Sequence, residues 1–320
     1  MITVQNTIPK TGNAYVLFGF EAIQARPNLD PYTSTLRMND ETMQVFTSDV
    51  HIKHHARRGM KAYALEKGIS KPDATIFYEK EDEAGKPRDF SKRLQLVRDA
   101  AGISKANADK KDALNHCLDL PLFGYVHAVK DESFNVTNSV NTLFRPSTFH
   151  SCKILPIGRN NAFPSLDKEG EVKDSAGSAT VDSLEYGFFL ALWEINLNML
   201  RINAENHKTL AWKDKGVSGW LDIFLNGLWA AYTTARYPSF TQRSQFAQFI
   251  VGWQPKESEV SYENPAELYR KLENKAITSH EDAVKNLNSF LPEFLKGWKC
   301  SKETIFAKDL AKNCEIKYLV

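Results

Sequence analysis

Residues 14–58 read AYVLFGFEAIQARPNLDPYTSTLRMNDETMQVFTSDVHIKHHARR, and this stretch decides the fold. Its first seven residues, AYVLFGF, are apolar and predict a β-strand over residues 14–24. A helix is predicted over residues 48–67, ended by Gly68. Thr47 or Ser48 can cap its first turn, and an aspartate follows where the helix dipole is positive. The stretch therefore predicts strand, loop and helix in that order.

The predicted helix has two distinct faces. Apolar side chains repeat every fourth residue and should face the core: Ile52, Ala56, Met60 and Ala64. One step round the helix, cations repeat in the same way: Lys53, Arg57 and Lys61. Like charges at this spacing repel by roughly 0.2–0.5 kcal/mol per pair, and we expect no residue of the segment to cancel them. The row predicts a seat for an external polyanion, with an ordinary solvated helix face as the alternative.

The loop before the helix favours the polyanion. It reads Arg26-Pro-Asn-Leu-Asp-Pro31, in which two prolines stiffen the backbone and the asparagine and aspartate favour turns. Arg26 begins the loop and Arg37 follows it. A stiff loop with cations at both ends, placed before a cationic helix, predicts a cradle for a phosphate backbone.

The order of these motifs resembles the amino-terminal part of the Cas-seven family of the RAMP superfamily. Members of that family are the crRNA-binding backbone subunits of type I CRISPR surveillance complexes (Cascade). The family loop carries Asn-Pro-Asn-Gly-Asp-Pro, whereas this chain has arginine and leucine in place of the first asparagine and the glycine. The family helix carries Lys-Arg-Lys-Ile-Arg, whereas this chain has Lys53-His-His-Ala-Arg-Arg58. A later Asp119-Leu-Pro-Leu-Phe-Gly124 also matches a family segment. The departures in the loop and the helix indicate a divergent branch, such as a type I-F variant.

Length and composition limit the class of protein. A chain of 320 residues can bury a substantial core, and its 42% hydrophobic and 25% charged residues are ordinary for a globular protein. The net charge of +2 excludes a uniformly basic, histone-like binder, although a local basic groove remains compatible with it. The four cysteines are scattered and predict reduced thiols without a zinc site. No secretory signal or membrane-spanning run is recognisable, so we expect a cytoplasmic protein with no membrane partner.

Strands and helices alternate along most of the chain and predict an α+β fold. The palm is predicted to be an RRM-like (ferredoxin-like) sheet of four strands with helices on one face, the strands lying at 14–24, 119–129, 186–198 and 245–253. Further strands are predicted at 75–79 and 152–157. Further helices are predicted at 91–101, 106–117, 218–233, 263–275 and 279–297.

The resemblance covers most of residues 14–255 and implies the organisation of a single elaborated domain. The palm would comprise about 14–67, 118–153 and 184–255, with a helical finger insertion at about 68–117. A projecting thumb hairpin or loop would occupy about 154–183, with an ordinary surface loop as the alternative. The last part, about 256–320, is predicted to be helical and matches no family segment.

Candidate RNA-binding residues are cations and asparagines of the cradle, of the polar segment 134–149, of the thumb and of an arginine-bearing loop. They are Arg26, Asn28, Arg37, Lys53, Arg57, Arg58, Lys61, Asn138, Asn141, Arg145, Arg159, Asn160, Arg236 and Arg243. In the family the thumb forces a base out of the RNA at regular intervals, and Ile157 or Phe163 could be the apolar wedge here. For Arg236 and Arg243, exposure to solvent without RNA is the alternative.

We find no pattern for catalysis, metal binding or cofactor binding. His51 and His55 have the spacing of two zinc ligands, but no glutamate stands between them as in His-Glu-x-x-His and no third ligand is near in sequence. Neither a Walker loop nor a Rossmann glycine pattern is present. This agrees with the role that the resemblance implies, and the first hypothesis is a non-catalytic guide-RNA scaffold that polymerises along the spacer, for antiviral defence. Its partners would be crRNA, further copies of itself, other Cascade subunits and, through the guide, target DNA.

Two other hypotheses stay open from the sequence. One is an RRM-like CRISPR endoribonuclease that uses His51, His54 or His55 as general acid or base. The other is an α+β interaction protein that binds no nucleic acid.

Overall fold

The chain forms a mixed α/β fold with antiparallel sheets. The computed structural model describes residues 12–28, 30, 33, 35–41, 44–71, 73–79, 90–103, 114–127, 134–148, 154–160, 178–207, 216–233, 247–253, 279, 281–282, 285 and 299–300. The strands in these ranges are β1 (Asn13–Ala25), β2 (Tyr125–His127), β3 (Phe134–Val136), β4 (Val140–Thr148), β5 (Ile154–Asn160), β6 (Ser178–Asn196), β7 (Ala247–Trp253) and β8 (Lys299–Cys300). The helices are α1 (Asp49–Glu66), α2 (Phe90–Ala101), α3 (Leu120–Phe123), α4 (Leu197–Glu205) and α5 (Gly216–Thr233).

The main sheet has the order β4-β6-β1-β7-β8, and all its neighbouring strands are antiparallel. The long strand β6 pairs with β1 through residues 184–196 and with β5 through residues 178–184. Leu184 pairs with Ala25 on one side and with Ile154 on the other. Consequently β5 lies on the edge of β6 opposite β1, the edge that β4 occupies further along. The strands predicted at 14–24 and 245–253 are confirmed; the strand predicted at 186–198 begins at residue 178, and α4 replaces its last two residues.

One predicted palm strand is wrong. Residues 119–127, the described part of this range, do not enter the main sheet; they comprise Asp119, α3, a turn at Gly124 with φ 69°, and β2, which pairs with β3. Pro121 suits the first turn of a helix and Gly124 takes a left-handed backbone conformation, so the apolar run cannot stay extended. In the main sheet, the strand that flanks β6 on the side away from β1 is instead β4. This strand comes from the polar segment 134–149, where the resemblance implied an RNA contact.

The strand predicted at 75–79 is also wrong. The backbone there follows an irregular path, and the N–H groups of Phe77 and Tyr78 donate to the carboxylate of Asp119 at 2.8 and 3.1 Å. A side chain thus accepts the bonds that a neighbouring strand would otherwise accept.

Helix α1 forms where the sequence predicts it. Ser48 is the cap, and its Oγ accepts a hydrogen bond from the His51 N–H at 3.2 Å. The apolar stripe of Ile52, Ala56, Met60 and Ala64 is fully buried. The stripe faces a core that includes the sheet side chains Phe18, Phe20 and Trp193 and the apolar residues of α5.

The crossing of α1 and α5 brings two glycines together. A Cβ added to Gly59 would lie 1.9 Å from the carbonyl oxygen of Gly227, and a Cβ added to Gly227 would lie 2.8 Å from the Met60 backbone nitrogen. The absence of side chains at both positions therefore lets the two backbones touch.

Helix α2 confirms the helix predicted at 91–101. A second, smaller core lies around it. It contains Phe77, Leu94, Val97, Leu114, Cys117, Leu120 and Tyr125. Cys117 is a buried free thiol whose pKa is raised by burial. Among the described helices, none is both long and apolar enough to cross a membrane. Most of the predicted helices at 106–117, 263–275 and 279–297 lies outside the described residues.

Candidate nucleic-acid interface

A cleft of about 750 Å³ opens between the loop after β1, the first half of α1 and the segment Ile76–Glu79. Four predicted RNA-binding residues line it: Asn28, Arg37, Arg57 and Arg58. The other lining residues are Ser48, Val50, His51, His54, Ile76, Tyr78 and Glu79. The β1–α1 loop and the cationic helix therefore meet in space, as the sequence predicts for a cradle.

The loop owes its shape to its own polar groups. The Asp30 N–H donates to the Thr35 carbonyl at 2.9 Å, and the Thr33 N–H donates to Asp30 Oδ1 at 3.2 Å. Asn28 takes a left-handed conformation with φ 56°, which asparagine tolerates better than most residues.

Asn28 is directed at the cleft with an unused donor. Its side chain lines the cleft although only 8% of the residue is exposed. Among the described residues, the Nδ2 amide has no hydrogen-bond partner, and neither has the buried Nε of Arg37, although Nη2 of Arg37 lies 4.0 Å from Asp30 Oδ2. A buried donor without a partner costs free energy unless a bound molecule accepts from it.

Each cation of the row on α1 has an acidic partner within the protein. The prediction that no residue of the segment cancels the row is wrong for Lys53, because Asp49 belongs to the same segment. Lys53 pairs with Asp49 one turn earlier at 3.3 Å, and Arg57 pairs with Asp119 at 3.1 Å. Lys61 pairs with Glu79. The first partner stands four residues away in the sequence, whereas the other two reach the helix only through tertiary packing. Lys53 and Lys61 are not among the residues that line the cleft.

Asp119 is the residue that the sequence did not single out for this site. It is fully buried, and its carboxylate accepts from the backbone N–H groups of Phe77 and Tyr78 and from Arg57 Nε. The Arg57 guanidinium lies between two rings, 4.6 Å from the Tyr78 centroid and 4.7 Å from the Phe123 centroid. The signal was the Asp-Leu-Pro-Leu-Phe-Gly motif, which supplies both Asp119 and Phe123.

Arg93 holds the segment Ile76–Glu79 from the other side. Its Nε donates to the Phe77 carbonyl at 2.9 Å, its Nη2 donates to the Ile76 carbonyl, and the same nitrogen lies 3.3 Å from Glu79. Because Glu79 also pairs with Lys61, this wall of the cleft is tied to both α1 and α2. Glu79, the acidic residue that lines the cleft, is thus paired with Lys61 and Arg93, which do not line it.

Two of the three histidines of α1, His51 and His55, have lowered pKa values. Burial, together with His54 and Arg37, lowers the pKa of His51 to about 4. Burial, together with His51, His54 and Arg58, lowers the pKa of His55 to about 2. The rings contact one another, with centroids 4.6 Å apart for His51 and His55. Among the described residues, no cluster of three or more His, Cys, Asp or Glu side chains is arranged to hold a metal ion.

The remaining predicted RNA-binding residues lie elsewhere or outside the described side chains. Asn138 and Asn141 contact each other at the start of β4, where Asn138 Nδ2 also donates to the Val140 carbonyl at 3.2 Å. Arg26 follows β1 and does not line the cleft. For Arg145 on β4, and for Ile157, Arg159 and Asn160 on β5, the structure describes only the backbone, while Phe163, Arg236 and Arg243 lie outside the described residues.

No protein-family model and no curated protein matches the chain. Two solved structures are similar to this chain. One is described as "CRISPR RNA-guided surveillance complex, pre-nicking", with a TM-score of 0.49 and 14% identity over 89% of this chain and 89% of the other. The second is described as "CRISPR RNA-guided surveillance complex", with a TM-score of 0.44 and 14% identity over 91% of this chain and 87% of the other. At such values the function must be argued from the site.

Proposed function

We propose that this chain is a non-catalytic crRNA backbone-binding subunit. It would polymerise along the spacer in a type I CRISPR surveillance complex, with other subunits as neighbours and target DNA held through the guide. The observation that supports this most is the cleft, which gathers Asn28, Arg37 and Arg58 beside Tyr78. The cleft joins the same loop and helix whose motifs resemble the Cas-seven family.

The chemistry of the cleft suits a single nucleic-acid strand. Binding without sequence preference needs cations for phosphates and apolar or aromatic surface for bases. Arg37 and Arg58 supply cations, while Tyr78 is 39% and Val50 is 58% exposed. The unused amide donor of Asn28 can bond a phosphate or a base edge. The sequence of the target would then be selected by base pairing to the guide.

The sheet topology supports an RRM-like palm. Taken along the chain, β1, α1, β4, β6, α5 and β7 form a strand–helix–strand–strand–helix–strand series, with β1 and β6 central. That is the order of the split βαβ arrangement. The pairing of Ile154–Asn160 with Ser178–Leu184 supports a thumb hairpin. We assign Ile157 or Phe163 as its wedge and Arg159 and Asn160 as its polar contacts.

Assembly on RNA tests this proposal directly. Native mass measurement should show complexes in which the number of protein copies rises with the length of a single-stranded RNA, whatever its sequence. If the protein binds each RNA as a single copy regardless of length, the scaffold role is wrong.

The contribution of the cleft can be measured with matched variants. Arg37→Ala together with Arg58→Ala should weaken RNA binding and reduce the log–log salt slope by ~0.7 for each phosphate that the protein no longer neutralises. Arg201→Ala is the control, because this arginine pairs with Glu205 on α4 and does not line the cleft. Equal affinities for the double variant and the control would contradict binding in the cleft.

The endoribonuclease alternative has one observation in its favour, since His51 and His54 line the basic cleft. Against a general-acid role, burial lowers the pKa of His51 to about 4, so the imidazolium form that such an acid requires is scarce at pH 7. Incubation with CRISPR-repeat RNA distinguishes the two functions. We expect intact RNA after long incubation; cleavage that disappears in His54→Ala would establish the alternative.

A further inference from the structure

We propose that Tyr78 is a stacking platform for one unpaired base of the bound strand, and that Arg57 and Asp119 hold its ring in position. This inference rests on the function proposed above. It adds a base-binding position to a site whose sequence pattern indicated only contacts to phosphate. The ligand class is a nucleobase of single-stranded RNA.

The exposure and surroundings of Tyr78 support this role. The residue lines the basic cleft and is 39% exposed, whereas its neighbour Phe77 is buried in the core around α2. The Tyr78 ring packs near Phe77 and Tyr125, with centroids 5.5 and 5.9 Å away. Aromatic packing thus fixes the ring while part of its surface faces the cleft.

The cation under the ring is placed by a buried charge. The Arg57 guanidinium lies 4.6 Å from the Tyr78 centroid and 3.1 Å from a carboxylate oxygen of Asp119 through Nε. Only 13% of the Arg57 side chain is exposed, and none of the Asp119 side chain. A planar guanidinium held in this way keeps its orientation when the strand enters, so little side-chain entropy is lost on binding.

The same carboxylate also fixes the backbone that carries the ring. Asp119 accepts from the N–H groups of Phe77 and Tyr78, so one side chain sets both members of the Arg57–Tyr78 pair. Arg93 anchors the carbonyl of Phe77 from α2. We therefore assign Asp119 as a positioning residue, since it is buried and acts on the base through Tyr78 and Arg57.

The ring can stack any base. Burial raises the pKa of the Tyr78 hydroxyl, so the phenol stays neutral at pH 7. Stacking on a neutral aromatic ring tolerates all four bases, because each presents a π-face. The property suits a protein that must hold guides of differing sequence, with Arg37 and Arg58 placed for the adjoining phosphates.

The test compares two single-stranded RNAs of equal length, one with all its bases and one in which the bases are replaced by abasic sites. Both carry the same phosphate charge, so the ratio of their dissociation constants isolates the base contacts. The intact protein should prefer the RNA with bases. Tyr78→Ala should reduce that preference about 5- to 160-fold, as expected when one aromatic stacking partner is removed, while Tyr78→Phe should retain it. Leu96→Ala, an exposed apolar residue outside the cleft, is the control.

Asp119→Asn tests the positioning role by the same ratio. General damage to the fold would weaken binding of both RNAs equally, whereas misplacement of the ring lowers only the preference for bases. We expect Asp119→Asn to reduce the preference for the RNA with bases over the abasic RNA. Adding Tyr78→Ala to this variant should reduce the preference no further.

The outcomes separate this inference from the proposed function. Binding of RNA with an unchanged ratio in Tyr78→Ala overturns the stacking role and leaves the scaffold function standing. If the intact protein binds neither RNA, the proposed function and this inference are both wrong.

Discussion

At the scale of single residues, the contact between Gly59 and Gly227 is among the tightest constraints in the described part of the chain. A Cβ added to either glycine would clash with the backbone of the other helix. Neither stands out in the sequence, because a lone glycine in a helical pattern more often indicates a weak helix position. The crossing of the two helices explains both.

Gly59→Ala should therefore destabilise the protein. The new Cβ would meet the Gly227 carbonyl oxygen at 1.9 Å, so α1 and α5 must separate, at a cost of about 1–3 kcal/mol or more. Chemical denaturation measures the free energy of unfolding. Ala62→Ser, at an exposed position of the same helix, should change it by less than about 0.5 kcal/mol. A Gly59→Ala protein as stable as the control would show that the helices do not cross this closely.

The buried histidines make stability depend on pH. His51 and His55 bind protons less readily in the folded state than in the unfolded chain, since their folded pKa values of about 4 and 2 lie below the ordinary 6.5. Their stabilising contribution is thus complete above pH 6.5 and is lost as the pH falls below it. Between pH 6.5 and 5 the free energy of unfolding should decrease by up to about 1.4 kcal/mol per pH unit for each histidine.

The variant His55→Asn isolates one of these contributions. It removes one titrating group, so its stability should depend less steeply on pH than that of the unaltered protein, whatever its absolute value. Denaturation curves at a series of pH values give both slopes. Identical slopes would mean that His55 is not buried in the neutral form.

At the scale of elements, the long strand β6 links the centre of the main sheet to strand β5. Residues 184–196 pair with β1, and residues 178–184 pair with β5. The sequence predicted strands at 152–157 and 186–198, whereas the structure has β5 at Ile154–Asn160 and β6 at Ser178–Asn196. The boundaries differ because the alternation of side chains does not reveal where a strand changes partner. Pairing outside the core then depends on the neighbouring strand.

Shortening the connection between β5 and β6 tests the proposed thumb separately from the fold. Asn160 and Ser178 are paired, so residues 161–177 can be replaced by an Asn-Gly turn, which closes two antiparallel strands. We expect an unchanged melting temperature but loss of the multi-copy complexes on long RNA, measured by thermal denaturation and native mass. A large decrease in melting temperature would assign the segment to the core instead.

Helix α1 and residues 119–129 illustrate where local pattern suffices and where it fails. For α1, the cap at Ser48 and the four-residue apolar repeat specify the same helix, and the structure agrees. In the second segment an apolar run suggested a strand, but Pro121, the left-handed Gly124 and the bonds made by Asp119 determine a turn. Hydrophobicity alone does not distinguish buried extended chain from buried turn.

At the scale of the whole molecule, local charge and net charge differ. The chain carries a net charge of +2, and the acids Asp49, Asp119 and Glu79 each pair with a cation of α1. In the cleft, Arg57 pairs with Asp119 and Arg37 lies 4.0 Å from Asp30, so a phosphate backbone would meet only a few cations per copy. Affinity for RNA would therefore accumulate over many copies along one strand, each contributing a few contacts.

The salt dependence should consequently grow with assembly. For RNAs long enough to bind several copies, the slope of log affinity against log salt should steepen in proportion to the number of copies, by ~0.7 per neutralised phosphate. Titrations at several salt concentrations, combined with the copy number from mass measurement, check this. A slope independent of copy number would contradict a repeated phosphate contact.

The sequence by itself determined the central strand, the capped helix after it and the convergence of loop and helix on one surface. These follow from short-range rules, namely side-chain periodicity, capping and stiff turns, which act within about a dozen residues. Only the tertiary structure decided which cations face the cleft, that Asp119 joins Arg57 to Tyr78, and that Gly59 meets Gly227. Those contacts connect residues 62 and 168 positions apart. The folded backbone alone brings them together, and no local pattern encodes such distances.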